Sequence, residues 1–206
     1  MFSLKRLCLL CWLMGGFALT AHATPPTLLV FGDSLSAGYG IAREQSWPVL
    51  LERQLQKEGK PFTVVNASIS GETTAGGRAR FAAALQQFEP AIVILALGAN
   101  DGLRGLPIAA MKENLATMIA QAKRHSARVL LVGIRLPPNY GADYTQAFAA
   151  TFRTLARREK VSLLPFLLEP IALDTDAFQA DGLHPTAAVQ PKLMQHVRTA
   201  LTPLLR

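Results

Sequence analysis

The sequence predicts an α/β domain: one parallel sheet of five strands covered by helices. Three observations lead there. Five short apolar, β-rich runs alternate with stretches of helical periodicity, the order that builds βαβ units. The runs IVILAL and VLLVGI are continuously apolar rather than alternating, as expected of strands buried on both faces. The chain has 206 residues, half of them hydrophobic and 17% charged, which suits one folded domain with a proper core.

The first element is a targeting segment. Lys5 and Arg6 precede an uncharged run, 7–19, and Ala21-His22-Ala23 supplies the small residues that a signal peptidase reads. The run falls short of the roughly 20 apolar residues of a membrane-spanning helix. The expectation is a signal peptide at 1–23, cut after Ala23, and a single domain at 24–206 in the periplasm or outside the cell. Both cysteines, Cys8 and Cys11, leave with it. The remainder then has no disulfide framework, no thiolate metal site and no cysteine nucleophile.

The five strands are read at 27–31, 62–66, 91–97, 128–134 and 161–164. Helices are read between them. Segment 44–58 places Trp47, Leu50, Leu51 and Leu55 on one face. Segment 74–88 does so with Phe81, Ala84, Leu85 and Phe88, and 108–125 with Met111, Leu115, Met118, Ile119 and Ala122. Segment 142–158 and the tail after Pro191 complete the set. Segments 135–142 and 165–180, rich in Pro and Gly, read as loops.

Parallel strands end along one edge, and ligands bind there. Small, polar or turn-forming residues follow each strand: Gly32-Asp33-Ser34-Leu35-Ser36, then Ala67-Ser68-Ile69-Ser70-Gly71-Glu72, then Gly98-Ala99-Asn100-Asp101-Gly102, then Arg135-Leu136-Pro137-Pro138-Asn139-Tyr140-Gly141. Asp181-Gly182-Leu183-His184-Pro185 lies beyond the fifth. A hydroxyl, an imidazole and a carboxylate in this set suggest acyl transfer. Serine is a poor nucleophile until a base takes its proton. Histidine is the natural base near neutral pH, and a carboxylate fixes its tautomer. Asp181 and His184 sit three residues apart in one turn, so one loop can carry base and orienter. The fold must then supply Ser34. His125, at a helix end, and His196, on the amphipathic last helix, have ordinary structural readings.

The blocks GDSLSAGYG, ASISGET, GANDG and DGLHP, in this order and spanning the chain after the signal, resemble the SGNH (GDSL) hydrolase family. The runs IRLPPNYGADYTQAF and GANDGLRG resemble its thioesterase I, lysophospholipase L1 and arylesterase branch. The resemblance implies a flavodoxin-like, three-layer α/β/α sandwich and a Ser-His-Asp triad of Ser34, His184 and Asp181. It implies an oxyanion hole made by the Ser34 and Gly71 backbone N–H groups and the Asn100 amide. Asp33 and Asp101 have structural readings within their turns. The implied activity is hydrolysis of acyl or aryl esters, thioesters or lysophospholipids, with no cofactor and no metal. Leu35, Leu103, Leu106, Ile108, Leu136 and Pro137 flank the motif loops and are expected to bind the acyl group.

Other readings are poorer. G-x-S-x-G, a P-loop, G-x-G-x-x-G and H-E-x-x-H are absent. The net charge of +7, two units of which belong to the signal, is dispersed rather than gathered into a nucleic-acid-binding stripe. No nucleic-acid partner is therefore expected. The basic excess suits transient contact with an anionic membrane surface, and a monomer is expected. The alternatives are a carbohydrate deacetylase of the same fold and a non-catalytic lipid- or carbohydrate-binding protein.

Overall fold

Apolar runs bounded by Gly, Asn and Pro form five strands in the computed structural model, which describes residues 24–206. The signal-peptide reading for 1–23 lies outside the described residues. The strands are β1 (Thr27–Gly32), β2 (Thr63–Asn66), β3 (Ile92–Ala96), β4 (Arg128–Val132) and β5 (Ser162–Leu164). All pairings are parallel, in the order β2-β1-β3-β4-β5. Every residue of β3 is buried, and β1 is buried from Leu28 onward, which explains why these two runs carry no polar alternation.

Among the described residues, seven α-helices accompany the sheet: α1 (Ser34–Ala37), α2 (Trp47–Lys57), α3 (Thr74–Phe88), α4 (Ala99–Leu103), α5 (Ile108–Arg124), α6 (Ala142–Glu159) and α7 (Gln190–Leu201). α3 packs on α5 and α5 on α6, whereas α2 packs on α7. The split follows from crossover handedness. The step from β1 to β2 runs toward one edge of the sheet, and the later steps run toward the other. Right-handed connections therefore put α2 on one face and α3, α5 and α6 on the opposite face. The result is the expected three-layer α/β/α sandwich. Among the described residues, no helix is long and apolar enough to cross a membrane.

The same topology positions the site. Chains leaving β1 and β3 turn to opposite sides, so a crevice opens beyond their carboxyl ends. Gly32 pairs with Ala96 at that edge. A Cβ on Gly32 would lie 2.9 Å from the Ala96 carbonyl oxygen and from Ser36 Oγ, so only glycine lets the strand end approach its neighbour this closely. Trp47 is fully buried, and its Nε1–H donates to the Leu35 carbonyl at 3.1 Å while its backbone N–H donates to Gln190 Oε1 at 3.0 Å. Through its side chain Trp47 thus ties α2 to the turn that carries Ser34, and through its backbone N–H it ties α2 to α7.

The observed elements match the expected ones apart from a few end residues. The short helices α1 and α4 fall where the sequence reads as turns. Each is about one turn long, too short for a hydrophobic period to register. The segment 165–180 carries two 3₁₀ turns, Glu169–Ile171 and Thr175–Ala177.

Candidate active site

Ser34 opens α1, directly after β1. Asp33 caps this helix, its Oδ1 accepting from the Leu35 N–H at 3.1 Å. On the opposite side, Asp181 folds its own turn: Oδ1 accepts the backbone N–H groups of Leu183 at 2.9 Å and His184 at 3.0 Å. That turn swings the imidazole toward the serine. His184 Nδ1 lies 2.6 Å from Asp181 Oδ2, and Nε2 lies 2.8 Å from Ser34 Oγ. The relay joins residues 150 positions apart. With the Nδ1–H donated to Asp181, Nε2 is left as an acceptor facing the hydroxyl.

The histidine turn is braced by residues to which the sequence assigned no role. The Gln179 amide donates to the Tyr39 carbonyl at 2.8 Å and the Pro185 carbonyl at 3.1 Å, and the Gln179 N–H donates to the His184 carbonyl at 2.7 Å. The Tyr39 ring lies 4.4 Å, centroid to centroid, from the His184 ring. Gln179 lies in a loop outside every motif, and Tyr39, though within the GDSLSAGYG block, makes its contacts only through the tertiary fold.

Gly71 and Asn100 stand beside the serine, on the walls of the same cavity. Gly71 has φ +78°, a left-handed conformation that favours glycine. The Asn100 Nδ2 donates one N–H to the Glu72 carbonyl at 3.0 Å, which leaves the amide a second N–H. One turn later on the same segment, Arg104 donates to the Gly71 carbonyl at 2.9 Å. Two successive carbonyls of the Gly71-Glu72 loop are thus tied to α4 and its cap. Arg80 holds the Glu72 carboxylate from α3. Asp101 points the other way. It is buried and accepts from the Thr74 N–H, at 2.8 Å, and hydroxyl, so it anchors the first turn of α3.

The two aspartates flanking the serine and histidine titrate in opposite directions. Burial, reinforced by the nearby Asp101 and Glu72 carboxylates, pushes Asp33 up to about 7, against the pull of the Leu35 N–H. The backbone N–H and imidazole of His184, then the Leu183 N–H, draw Asp181 down to about 2. An ionised Asp181 is the form that holds an imidazolium.

A cavity of about 850 Å³ opens over Ser34 and His184. Leu35, Leu103, Leu136 and Pro137 line it, as do Phe166, Leu168 and Phe178 from the segment read as a loop. The run Phe166-Leu167-Leu168 was an available signal: three large apolar residues are unusual in an exposed loop. Leu106 and Ile108, also expected to bind the acyl group, do not line the cavity. The chain turns at Gly105 (φ +64°), leaving Leu106 exposed, and Ile108 opens α5 with its side chain against the core.

The sequence profile of the GDSL-like lipase/acylhydrolase family matches residues 30–190. The chain is 49% identical to the protein named esterase TesA from Pseudomonas aeruginosa over 187 residues, covering 91% of this chain and 93% of that protein. It is 42% identical to the thioesterase 1/protease 1/lysophospholipase L1 of Escherichia coli over 183 residues, covering 89% of this chain and 86% of that one. The crystal structure of a psychrotrophic esterase, EstA, from Pseudoalteromonas sp., inhibited by monoethylphosphonate, superposes with a TM-score of 0.83 at 37% identity, covering 87% of this chain and 98% of that chain.

Proposed function

The chain belongs to the GDSL-like lipase/acylhydrolase family and is a hydrolase acting on esters; from that premise we propose that it cleaves acyl and aryl esters, thioesters and lysophospholipids through an acyl-enzyme on Ser34. The observation that carries the reading is the continuous relay from Asp181 through His184 to Ser34, at 2.6 and 2.8 Å.

The relay supports the following steps. Ser34 Oγ attacks the ester carbonyl while His184 Nε2 takes its proton. Asp181 stabilises the imidazolium so formed. The carbonyl oxygen becomes an oxyanion, held by the Ser34 and Gly71 N–H groups and the free Asn100 N–H. The oxyanion collapses, His184 protonates the leaving alcohol or thiol, and water repeats the sequence to free the acid. The apolar walls of the cavity take the acyl chain, and their composition favours lipid-like acyl groups over acetylated sugars. In this reading, residues 1–23 are an export signal, and the enzyme works as a monomer in the periplasm or beyond it, touching lipid surfaces transiently.

The test is kcat/KM across p-nitrophenyl esters from short to long chains, with a lysophospholipid and an acetylated sugar alongside. Ser34→Ala is expected to lower kcat by at least about 10³-fold. A retained rate overturns the acyl-enzyme. A sharp optimum at acetate with sugar turnover would point to a deacetylase instead.

A further inference from the structure

Among the described residues, Arg135 is the one Lys, Arg, Asp or Glu that lines this otherwise largely apolar cavity. It directly follows Ile134, just beyond the carboxyl end of β4. Its guanidinium lies over the Phe166 ring, 4.9 Å from the centroid, and Phe166 is itself a wall of the cavity. Its carboxylate partner is loose: Glu169 Oε1 is 3.8 Å away, beyond hydrogen-bond reach, and both side chains are about half exposed (52% and 51%). Such a pair contributes little. A stacked, planar fork of donors with no close acceptor among the described residues is pre-oriented for a carboxylate or phosphate, which it can hold with two parallel hydrogen bonds.

We propose that Arg135 is an anion-recognition subsite, so that the preferred substrates are amphiphilic esters carrying a phosphate or carboxylate as well as an apolar acyl chain. The proposal rests on the esterase reading above and sharpens it. Apolar walls select the chain, and Arg135 selects esters that also carry a negative charge. Neutral esters of the same chain length fill the cavity but leave the guanidinium to water and Glu169. The charge on the substrate, rather than chain length alone, then separates good substrates from poor ones.

The test compares kcat/KM within two matched pairs: octanoylglycerol phosphate against octanoylglycerol, and the mono-p-nitrophenyl ester of an eight-carbon dicarboxylic acid against p-nitrophenyl octanoate. Arg135→Met keeps an apolar stem over Phe166 and removes the charge. It is expected to lower the charged-to-neutral ratio about tenfold or more in at least one pair. Arg135→Lys is expected to restore part of that ratio, and Glu169→Gln to raise it. A drop confined to the first pair assigns the subsite to phosphate, and one confined to the second assigns it to carboxylate. A ratio unchanged within twofold in both pairs overturns the proposal, as does an equal loss on charged and neutral members. If Arg135→Met does not melt cooperatively, the same ratios in Arg135→Lys decide. A wild-type protein that hydrolyses none of the four esters overturns the esterase reading and the subsite together. Hydrolysis of the neutral pair without charge selectivity overturns the subsite alone.

Discussion

Two aspartates stand on either side of the Ser34–His184 pair, and their surroundings give them opposite properties. Asp33, one residue before the serine, is buried at the end of β1 and pushed up to about 7. Asp181, on the far side of the imidazole, sits in a partly exposed turn and is drawn down to about 2. The same side chain therefore caps a helix in one place and carries a fixed negative charge in the other. What separates them is burial first, which pushes Asp33 up, and then the supply of donors. Asp181 faces two backbone N–H groups and an imidazole, whereas Asp33 has the Leu35 N–H and two like charges nearby.

Substituting each aspartate by asparagine is the sharpest way to break this contrast. Asp181→Asn is expected to lower kcat about 10⁴-fold, because the amide neither enforces the tautomer nor stabilises the imidazolium. Asp33→Asn keeps an oxygen for the Leu35 N–H and is expected to cost at most about tenfold, since asparagine caps helices as well as aspartate does. Equal losses in kcat on a p-nitrophenyl ester would show that the buried aspartate, too, acts on the reacting atoms.

The next effect belongs to the buried side. Asn100 projects from α4, whose next residue, Asp101, is locked to α3. Asn100→Ala is expected to lower kcat by about 10²–10³-fold with a smaller change in KM, because its free N–H is needed most once the oxyanion has formed. A loss carried by KM alone would place the amide on the ground-state substrate instead.

Much of this arrangement was legible in the sequence, for identifiable reasons. Long apolar runs announced β1, β3 and β4. Chemistry-bearing residues announced themselves by following strands, since a parallel sheet brings its carboxyl ends to one edge. Asp181 and His184 were readable together because their contact is local. The missing parts depend on tertiary geometry. Gln179 and Tyr39 brace the histidine turn through single long-range hydrogen bonds and a ring contact. The cavity wall from 166–178 comes from a segment without helical or strand period. Leu106 was misplaced because proximity in sequence to a motif loop does not say which way a turn at Gly105 sends the chain.

The contrast between the aspartates also predicts a stability signature of opposite sign. Asp33 binds its proton more tightly in the folded protein, with a pKa of about 7 against the ordinary 3.8. Its contribution is full below about pH 4 and is lost as pH rises to about 7. Asp181 has a folded pKa of about 2 against 3.8, so its contribution is present above about pH 4 and lost as pH falls toward 2. Thermal melts should therefore show Asp33→Asn gaining on the wild type by a few degrees as pH rises from about 4 to 8. Asp181→Asn should lag behind the wild type at neutral pH and draw level as the pH approaches 2. Parallel pH curves for wild type and both variants would mean that the two environments do not differ as described.

The smallest effect tests how far the rigidity of the buried side extends. Arg104 is exposed, yet its guanidinium reaches the Gly71 carbonyl at 2.9 Å, one residue before the carbonyl that Asn100 holds. The Gly71 N–H is one of the three donors assigned to the oxyanion, and a loop that wanders misaims it. An exposed hydrogen bond is worth about 0.5–1.5 kcal/mol, so Arg104→Met is expected to lower kcat about two- to tenfold. The loss should fall on kcat rather than KM, because the misaimed donor matters most in the transition state. Arg104→Lys, which offers a donor of similar reach, should recover part of the rate. A change confined to KM would mean that Arg104 touches substrate directly and acts beside Arg135 rather than through Gly71.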